Sequence, residues 1–208
     1  MATVAIVAFG VPLALGLARL RFPGKSLISG LIVLPLVLPP TVLGFLLLQV
    51  IGRRTIFGLW LESRFGVALV FTPAGAVIAS AFAAFPLFLI PARAAFEAVD
   101  PALEDVARLL GRREGSVFLC ITLPLAWRGL VSGAVLAFAR ALGDFGATLM
   151  VAGDNPGRTR TASLAIFNAV QSDDFSTAVW MTLLVSVVSI AALILAQKAA
   201  LPTRSVRR

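Results

Sequence analysis

An all-α membrane protein follows from three features of the sequence: its composition, the length of its apolar runs, and the places where arginine and lysine fall. Of the 208 residues, 59% are hydrophobic and 13% charged, and the mean hydropathy is +0.98. A water-soluble domain carries roughly twice that share of charge. Five apolar runs, at about 2–18, 27–51, 67–92, 125–150 and 176–198, approach the roughly 20 residues that a spanning helix needs. They take up most of the chain, so residues 1–208 read as a single transmembrane domain. Twelve of the 18 basic residues (Arg19, Arg21, Lys25, Arg93, Arg108, Arg112, Arg113, Arg128, Lys198, Arg204, Arg207 and Arg208) fall in alternate gaps between the runs. Five others (Arg53, Arg54, Arg64, Arg158 and Arg160) fall in the remaining gaps. The positive-inside rule puts the larger set in the cytoplasm, the N-terminus outside and the C-terminus inside. The net charge of +8 therefore reports topology and contact with anionic lipid rather than nucleic acid.

The first run lacks a basic leading segment and a cleavage site, which reads as a span rather than a removable signal. Its shortness, with Gly10, Pro12 and Gly16 inside it, points to little tilt or to a start lying further upstream. The turn "RLRFPGKSL" breaks the helix at Pro23 and Gly24. Run two holds "LPLVLPPTVLGF", where Pro35, Pro39 and Pro40 each remove a backbone donor. Freed carbonyls survive at membrane depth only against protein or a water-filled cavity, so this helix either lines a pathway or is simply kinked. In 52–66, Ile56, Leu59, Trp60 and Phe65 alternate with charges, as in a short interfacial helix. Run three is rich in Ala and Gly, which allows close helix packing.

The segment 96–124, within the 93–124 loop between runs three and four, is too polar to span. Asp100 and Pro101 are placed as an N-cap and first helical residue, and Gly111 as the terminator. Leu103, Val106, Ala107 and Leu110 share one helix face. A second short helix is expected from about Ser116 to Ile121. Such an amphipathic hairpin could lie on the membrane or fit a groove in a partner protein.

Run four holds "RALGDFGATLMVAG", with Arg140 and Asp144 four residues apart in apolar surroundings. A lone charge at the bilayer centre costs about 2.5–3.5 kcal/mol on insertion scales. An i,i+4 pair offsets much of that and should face the protein interior. The pair either staples this helix to a neighbour, such as the backbone opened by Pro39 and Pro40, or lends positive potential to an anion path. Stapling is favoured, because a bare fixed cation would trap an anion. Gly143 and Gly146 allow close helix approach or local unwinding. There is one cysteine, Cys120, and no histidine, so no intrachain disulfide or Cys/His metal site can form. No phosphate-binding G-x-x-x-x-G-K-[ST] occurs. An embedded enzyme would need clustered acids, His or Lys at one depth, and Asp144 stands alone there.

The loop resembles that of ABC-importer permeases, which carries EAA, three residues, Gly, nine residues and Ile-x-Leu-Pro. Here "DVARLLG" is followed by nine residues and "ITLP", so that Gly111, Ile121, Leu123 and Pro124 match in register. Ala107 agrees, while Asp105 and Val106 depart from Glu and Ala. With "RFPGKSL", "LPLVLPPTVLGFLLL", "RALGDFGATLMVAG" and "NPGRTRTASLAIF", the chain is similar to molybdate ABC transporter permeases from about residue 10 onward. Asp144 stands where that family usually has Glu.

The resemblance implies a type I importer fold and a homodimer around a central path. It also implies a cytoplasmic ATPase pair and an external oxyanion-binding protein as partners. ATP and magnesium would bind the ATPase, and no cofactor this chain. The 101–111 helix would be the coupling helix, with its apolar stripe in an ATPase groove and Glu104, Asp105, Arg108, Arg112 and Arg113 setting the register. Leu123 and Pro124 would end the loop and start the next helix. Pathway or packing candidates are Pro39, Pro40, Thr41, Gly44, Arg140, Gly143, Asp144, Gly146, Thr148 and Met150. Arg158 and Arg160, after a turn at Asn155–Gly157, could meet the binding protein, draw in the anion, or merely be solvated. Tungstate and sulfate share the substrate's tetrahedral dianionic form and remain alternatives within the class. An autonomous channel would leave the 93–124 loop without a purpose.

Overall fold

The computed structural model describes residues 1–20 and 22–200, with side chains through 198. Arg21, Arg204, Arg207 and Arg208, counted above among the basic residues, lie outside the described residues. The described chain is helical and contains no strand.

Helix α1 (Ala2–Arg19) is the first span. The second apolar run is not one kinked helix. It is two helices, α2 (Lys25–Val37) and α3 (Pro40–Ile51). The cause is the Pro39–Pro40 pair: a residue before proline is driven out of the helical region. Leu38 (φ −72°, ψ 141°) and Pro39 (φ −54°, ψ 139°) are both extended. Helix α4 (Ile56–Phe65) is the expected short helix, capped by Thr55, whose hydroxyl accepts from Gly58 N–H at 3.0 Å. It bends 56° away from α3.

Helix α5 (Pro73–Glu97) begins later than the apolar run because 67–72 is irregular, ending in a turn where Phe71 N–H donates to Val151 O at 3.0 Å. After the short helix α6 (Pro101–Leu109), the chain becomes helical again at α7 (Glu114–Val117). Helix α7 runs through a π-turn at Phe118–Thr122 straight into α8 (Leu123–Leu142). The expected separate helix at 116–121 is therefore corrected, since it joins one continuous helical stretch from Glu114 to Leu142, within which α8 begins at Leu123, where the loop was expected to end. Leu123 N–H reaches back five residues to Phe118 O. That looser turn comes just before Pro124, whose ring would otherwise press on the preceding helical turn. The fourth run breaks at Gly143–Phe145 and resumes as α9 (Gly146–Ala152). Helices α10 (Ala162–Gln171) and α11 (Phe175–Ala200) complete the chain.

Four of these helical stretches are long and apolar enough to cross a membrane: Ala2–Arg19, Pro73–Glu97, Glu114–Leu142 and Phe175–Lys198. Helix α5 is the axis of the packing. On one side, Ala84, Phe88, Ala92 and Phe96 form a core with Ile6, Ala14 and Leu17 of α1 and Ala126, Leu130 and Ala137 of α8. On the other, Ala79 and Ala83 pack with Leu43, Leu47 and Ile51 of α3 and Ala147 and Val151 of α9. Small residues make this approach possible: a Cβ on Gly133 would stand 2.8 Å from Phe88 O. By contrast α2 and α11 expose leucine, isoleucine and valine along much of their length, as a lipid-facing or partner-facing surface requires.

Candidate functional site

The best-formed surface feature is α6. Asp100 caps it, its carboxylate accepting from Ala102 N–H at 2.9 Å, and Pro101 is the first helical residue. Gly111 stops it at φ +79°, a left-handed conformation that suits glycine. Arg112 N–H returns to Ala107 O (3.1 Å) and Gly111 N–H to Arg108 O (2.9 Å), the paired bonds of a Schellman end.

The two faces of α6 divide differently from the sequence expectation. Leu103, Val106 and Leu110 are exposed and carry the apolar stripe outward, joined by Leu109. Ala107 is buried against the chain. Glu104, expected among the charges that set register with a partner, is also turned inward. Its carboxylate accepts from Arg19 Nη2 at 2.6 Å and from Thr122 Oγ1 at 2.7 Å. Asp105 and Arg108 do stay on the surface. Arg108 bonds both Asp105 (2.7 Å) and Glu114 (2.8 Å), and the Glu114 bond first, then Asp105, holds its guanidinium still more firmly protonated than usual. Gly111, Arg112, Arg113 and Pro124 are exposed, and Ile121 and Leu123 half-buried.

The second feature is the break in the fourth apolar run. Asp144 is 1% exposed. It caps α9: one carboxylate oxygen accepts from Thr148 N–H (3.0 Å) and Thr148 Oγ1 (2.6 Å). Its other oxygen meets Arg140 Nη1 at a longer 3.4 Å. The Asp144 carbonyl accepts from Ser163 Oγ at 2.6 Å, and the Phe145 ring packs against Phe167 at 4.8 Å with the two planes tilted by 54°, so α10 covers the break. The Arg140–Asp144 pair thus lies within its own apolar run, joining the end of α8 to the break, with α10, rather than α3, as the bonded neighbour. Helix α3 meets the break through packing instead. A Cβ on Gly146 would lie 2.9 Å from Pro40 Cβ and 3.3 Å from Thr41 N, and one on Gly44 would lie 2.6 Å from Met150 Cβ. Of the pathway or packing candidates, Gly44, Asp144, Gly146 and Thr148 are enclosed within the chain. Pro39, Pro40, Thr41, Gly143 and Met150 are exposed and Arg140 half-buried.

On the loop that follows, Asn155 O accepts from the N–H groups of Arg158, Thr159 and Arg160, forming the expected turn with Gly157 at φ +74°. Arg160 is not free: its guanidinium grips Asp154 with two bonds, 2.6 and 3.1 Å, and Asn168 joins them at 3.3 Å. Arg158 is exposed. Sequence reasoning missed Arg19, Thr122, Asp154 and Ser163. Only Asp154–Arg160, six residues apart beside Asn155 and Gly157, left a local trace; the others find partners at least 18 residues away.

Residues 9–203 match the family model described as "Binding-protein-dependent transport system inner membrane component". The chain is 47% identical over 164 residues to the molybdenum transport system permease protein ModB of Escherichia coli strain K12, covering 79% of this chain and 72% of that one. It is 44% identical over 187 residues to ModB of Mycobacterium tuberculosis, covering 90% and 70%. It is 40% identical over 180 residues to a putative molybdenum transport permease, YvgM, of Bacillus subtilis, covering 86% and 79%. Its fold is similar to a chain in the crystal structure of a bacterial alginate ABC transporter in complex with an alginate pentasaccharide-bound periplasmic protein. The TM-score there is 0.68 at 16% identity, with coverage of 95% and 75%.

Proposed function

Since the chain belongs to the binding-protein-dependent transport system inner membrane components, we propose that it is the permease subunit of an ATP-driven molybdate importer. Two copies enclose the anion path. A cytoplasmic ATPase pair supplies the energy and holds the ATP and magnesium, and an external binding protein delivers the anion. This chain performs no covalent chemistry and binds no cofactor of its own. Its work is a switch between inward and outward access, biased by nucleotide and by the loaded binding protein.

The observation that carries the reading is α6. A capped, nine-residue helix turns Leu103, Val106 and Leu110 away from its own chain. An exposed apolar stripe on so short a helix fits a groove in a partner. Exposed Asp105, Arg108, Arg112 and Arg113 supply charges that can select that partner and fix its register. In this reading 93–124 is cytoplasmic, the N-terminus outside and the C-terminus inside, in keeping with the distribution of arginine and lysine. The molybdate assignment draws on the molybdenum permeases at 40–47% identity. Thr41 and Met150, exposed beside the two helix breaks, are the residues offered to the path. Arg158 is left available to meet the binding protein, whereas Arg160 is committed to Asp154.

The test is uptake of labelled molybdate by cells that lack their own permease and express this chain with its ATPase and binding protein. ATP-dependent uptake that resists excess sulfate and is lost in Gly111→Asp supports the reading. Equal displacement by sulfate or tungstate reassigns the substrate to tetrahedral oxyanions in general. A chain that inserts but never associates with an ATPase overturns the proposal.

A further inference from the structure

We propose that Arg19, Glu104 and Thr122 form a latch that passes movement of α6 to α1 and α8, with Glu104 as the positioning residue for coupling. The proposal rests on the reading of α6 as the ATPase-docking helix.

Glu104 is 6% exposed. A carboxylate is rarely buried without paired and hydrogen-bonded partners, and those of Glu104 come from two other elements. Arg19, the last residue of α1, donates at 2.6 Å, and Thr122, the last residue of the π-turn, at 2.7 Å. Arg108 on the same helix stands further off, at 3.7 Å. Arg19 also reaches Val99 O through both terminal nitrogens at 3.4 Å. The end of α1 therefore grips the residue ahead of the α6 cap and the first turn of α6 together. The π-turn contributes by directing the Thr122 hydroxyl to Glu104.

Little else holds α6. Ala107 is its other buried side chain, and the apolar stripe faces away. The chain on its far side, 110–113, is exposed and contains the left-handed Gly111. A push delivered to Leu103, Val106 and Leu110 would let the helix pivot on its two flanking links unless a rigid contact resists. The exposed Asp105–Arg108–Glu114 pairs are screened by water and are weak for that purpose. The Glu104 contact is better suited to it, because its carboxylate is buried and held by two elements at once, α1 through Arg19 and the π-turn through Thr122. A buried ion pair is also poor evidence for stability and better explained by orientation.

Two measurements test this. In the purified permease, hydrogen exchange of the 102–110 amides is expected to quicken about tenfold in Glu104→Gln and in Thr122→Val. In the complete transporter in proteoliposomes, molybdate moved per ATP hydrolysed is expected to fall about fivefold in Glu104→Gln. Reversing the pair, Arg19→Glu with Glu104→Arg, should recover at least half of that ratio. If the reversed pair does not assemble, Thr122→Val must still lower the ratio about twofold. Unchanged exchange in the single variants overturns the latch, as does a ratio that stays constant while uptake and hydrolysis fall together. A wild-type complex that hydrolyses ATP but moves no molybdate counts against the substrate reading, while the exchange arm still judges the latch.

Discussion

Replacing Asp144 separates two roles that the sequence could not separate, helix cap and ion pair. Asp144→Ala removes the acceptor for Thr148 N–H and Thr148 Oγ1, both inside a residue with no exposed surface. A buried donor left without a partner costs about 1–3 kcal/mol. The hydroxyl can turn toward another acceptor, so the N–H dominates and the hydroxyl adds part of a second such cost. The Arg140 contact adds less. At 3.4 Å, with the Arg140 side chain 27% exposed, it is worth about 1 kcal/mol at most. The sum for Asp144→Ala is about 2–4 kcal/mol. For a chain of this size that lowers the melting midpoint by about 4–16 °C. Asp144→Asn keeps an oxygen for Thr148 and should lose less than half as much. Arg140→Gln should shift the midpoint by about 4 °C at most. The assay is thermal unfolding of the purified chain in one detergent, followed by tryptophan fluorescence and by loss of monodisperse protein. If Arg140→Gln melts as low as Asp144→Ala, the ion pair and not the cap holds the break, and the reasoning fails.

Three further outcomes are expected. Gly133→Ala places a Cβ 2.8 Å from Phe88 O and 3.0 Å from Pro91 Cγ, and should cost about 1–3 kcal/mol in the same melt; Gly143→Ala, whose nearest neighbour is 3.7 Å away, should stay within about 0.5 kcal/mol. Asp154→Ala releases Arg160 and Asn168 and should speed proteolytic cutting at 155–158 about fivefold. Hydrogen bonds from Thr177 and then Ser176 hold the Asp174 carboxyl below its usual range. A depressed folded value stabilises above the unfolded one, near about 3.9, and that contribution disappears as pH falls through the folded value. Acidification from about pH 5 to about pH 3 should therefore lower the midpoint more in the wild type than in Asp174→Asn.

Local chemistry was readable from the chain wherever cause and effect lie within one turn. Asp100 before Pro101, the stop at Gly111 and the turn at Asn155–Gly157 all stand where residue type alone put them. Four of the five apolar runs overlap helices long and apolar enough to cross a membrane, since length and composition are sums over neighbours. Continuity was harder to read. Pro39–Pro40 divides one apolar run into two helices, while Pro124 sits inside an unbroken one, because a π-turn relieves it. Proline counts the same in both places; the surrounding backbone decides. The inward turn of Glu104 was invisible because Arg19 is 85 residues away. On a helix of nine residues the apolar pattern allows either face to be the buried one. Asp144 was recognised as an anomaly, but its capping of α9 depends on where the helix breaks, and neither Gly143 nor Gly146 specifies that alone.

The π-turn at 118–122 has a consequence for which changes the chain can absorb. It amounts to one surplus residue wound into a helix that otherwise advances in regular steps. Deleting any one of those five residues would restore an unbroken α ladder and rotate everything ahead of it by about 100° about the helix axis. Val117, now 2% exposed, would turn out of the core. The α6 hairpin would then leave the body on a different side, with its exposed apolar stripe facing a new direction. Substitution within 118–122 alters what the turn touches, but a change in its length alters where the whole appendage points. Insertions and deletions here should therefore be far rarer among functional sequences than exchanges of residue type.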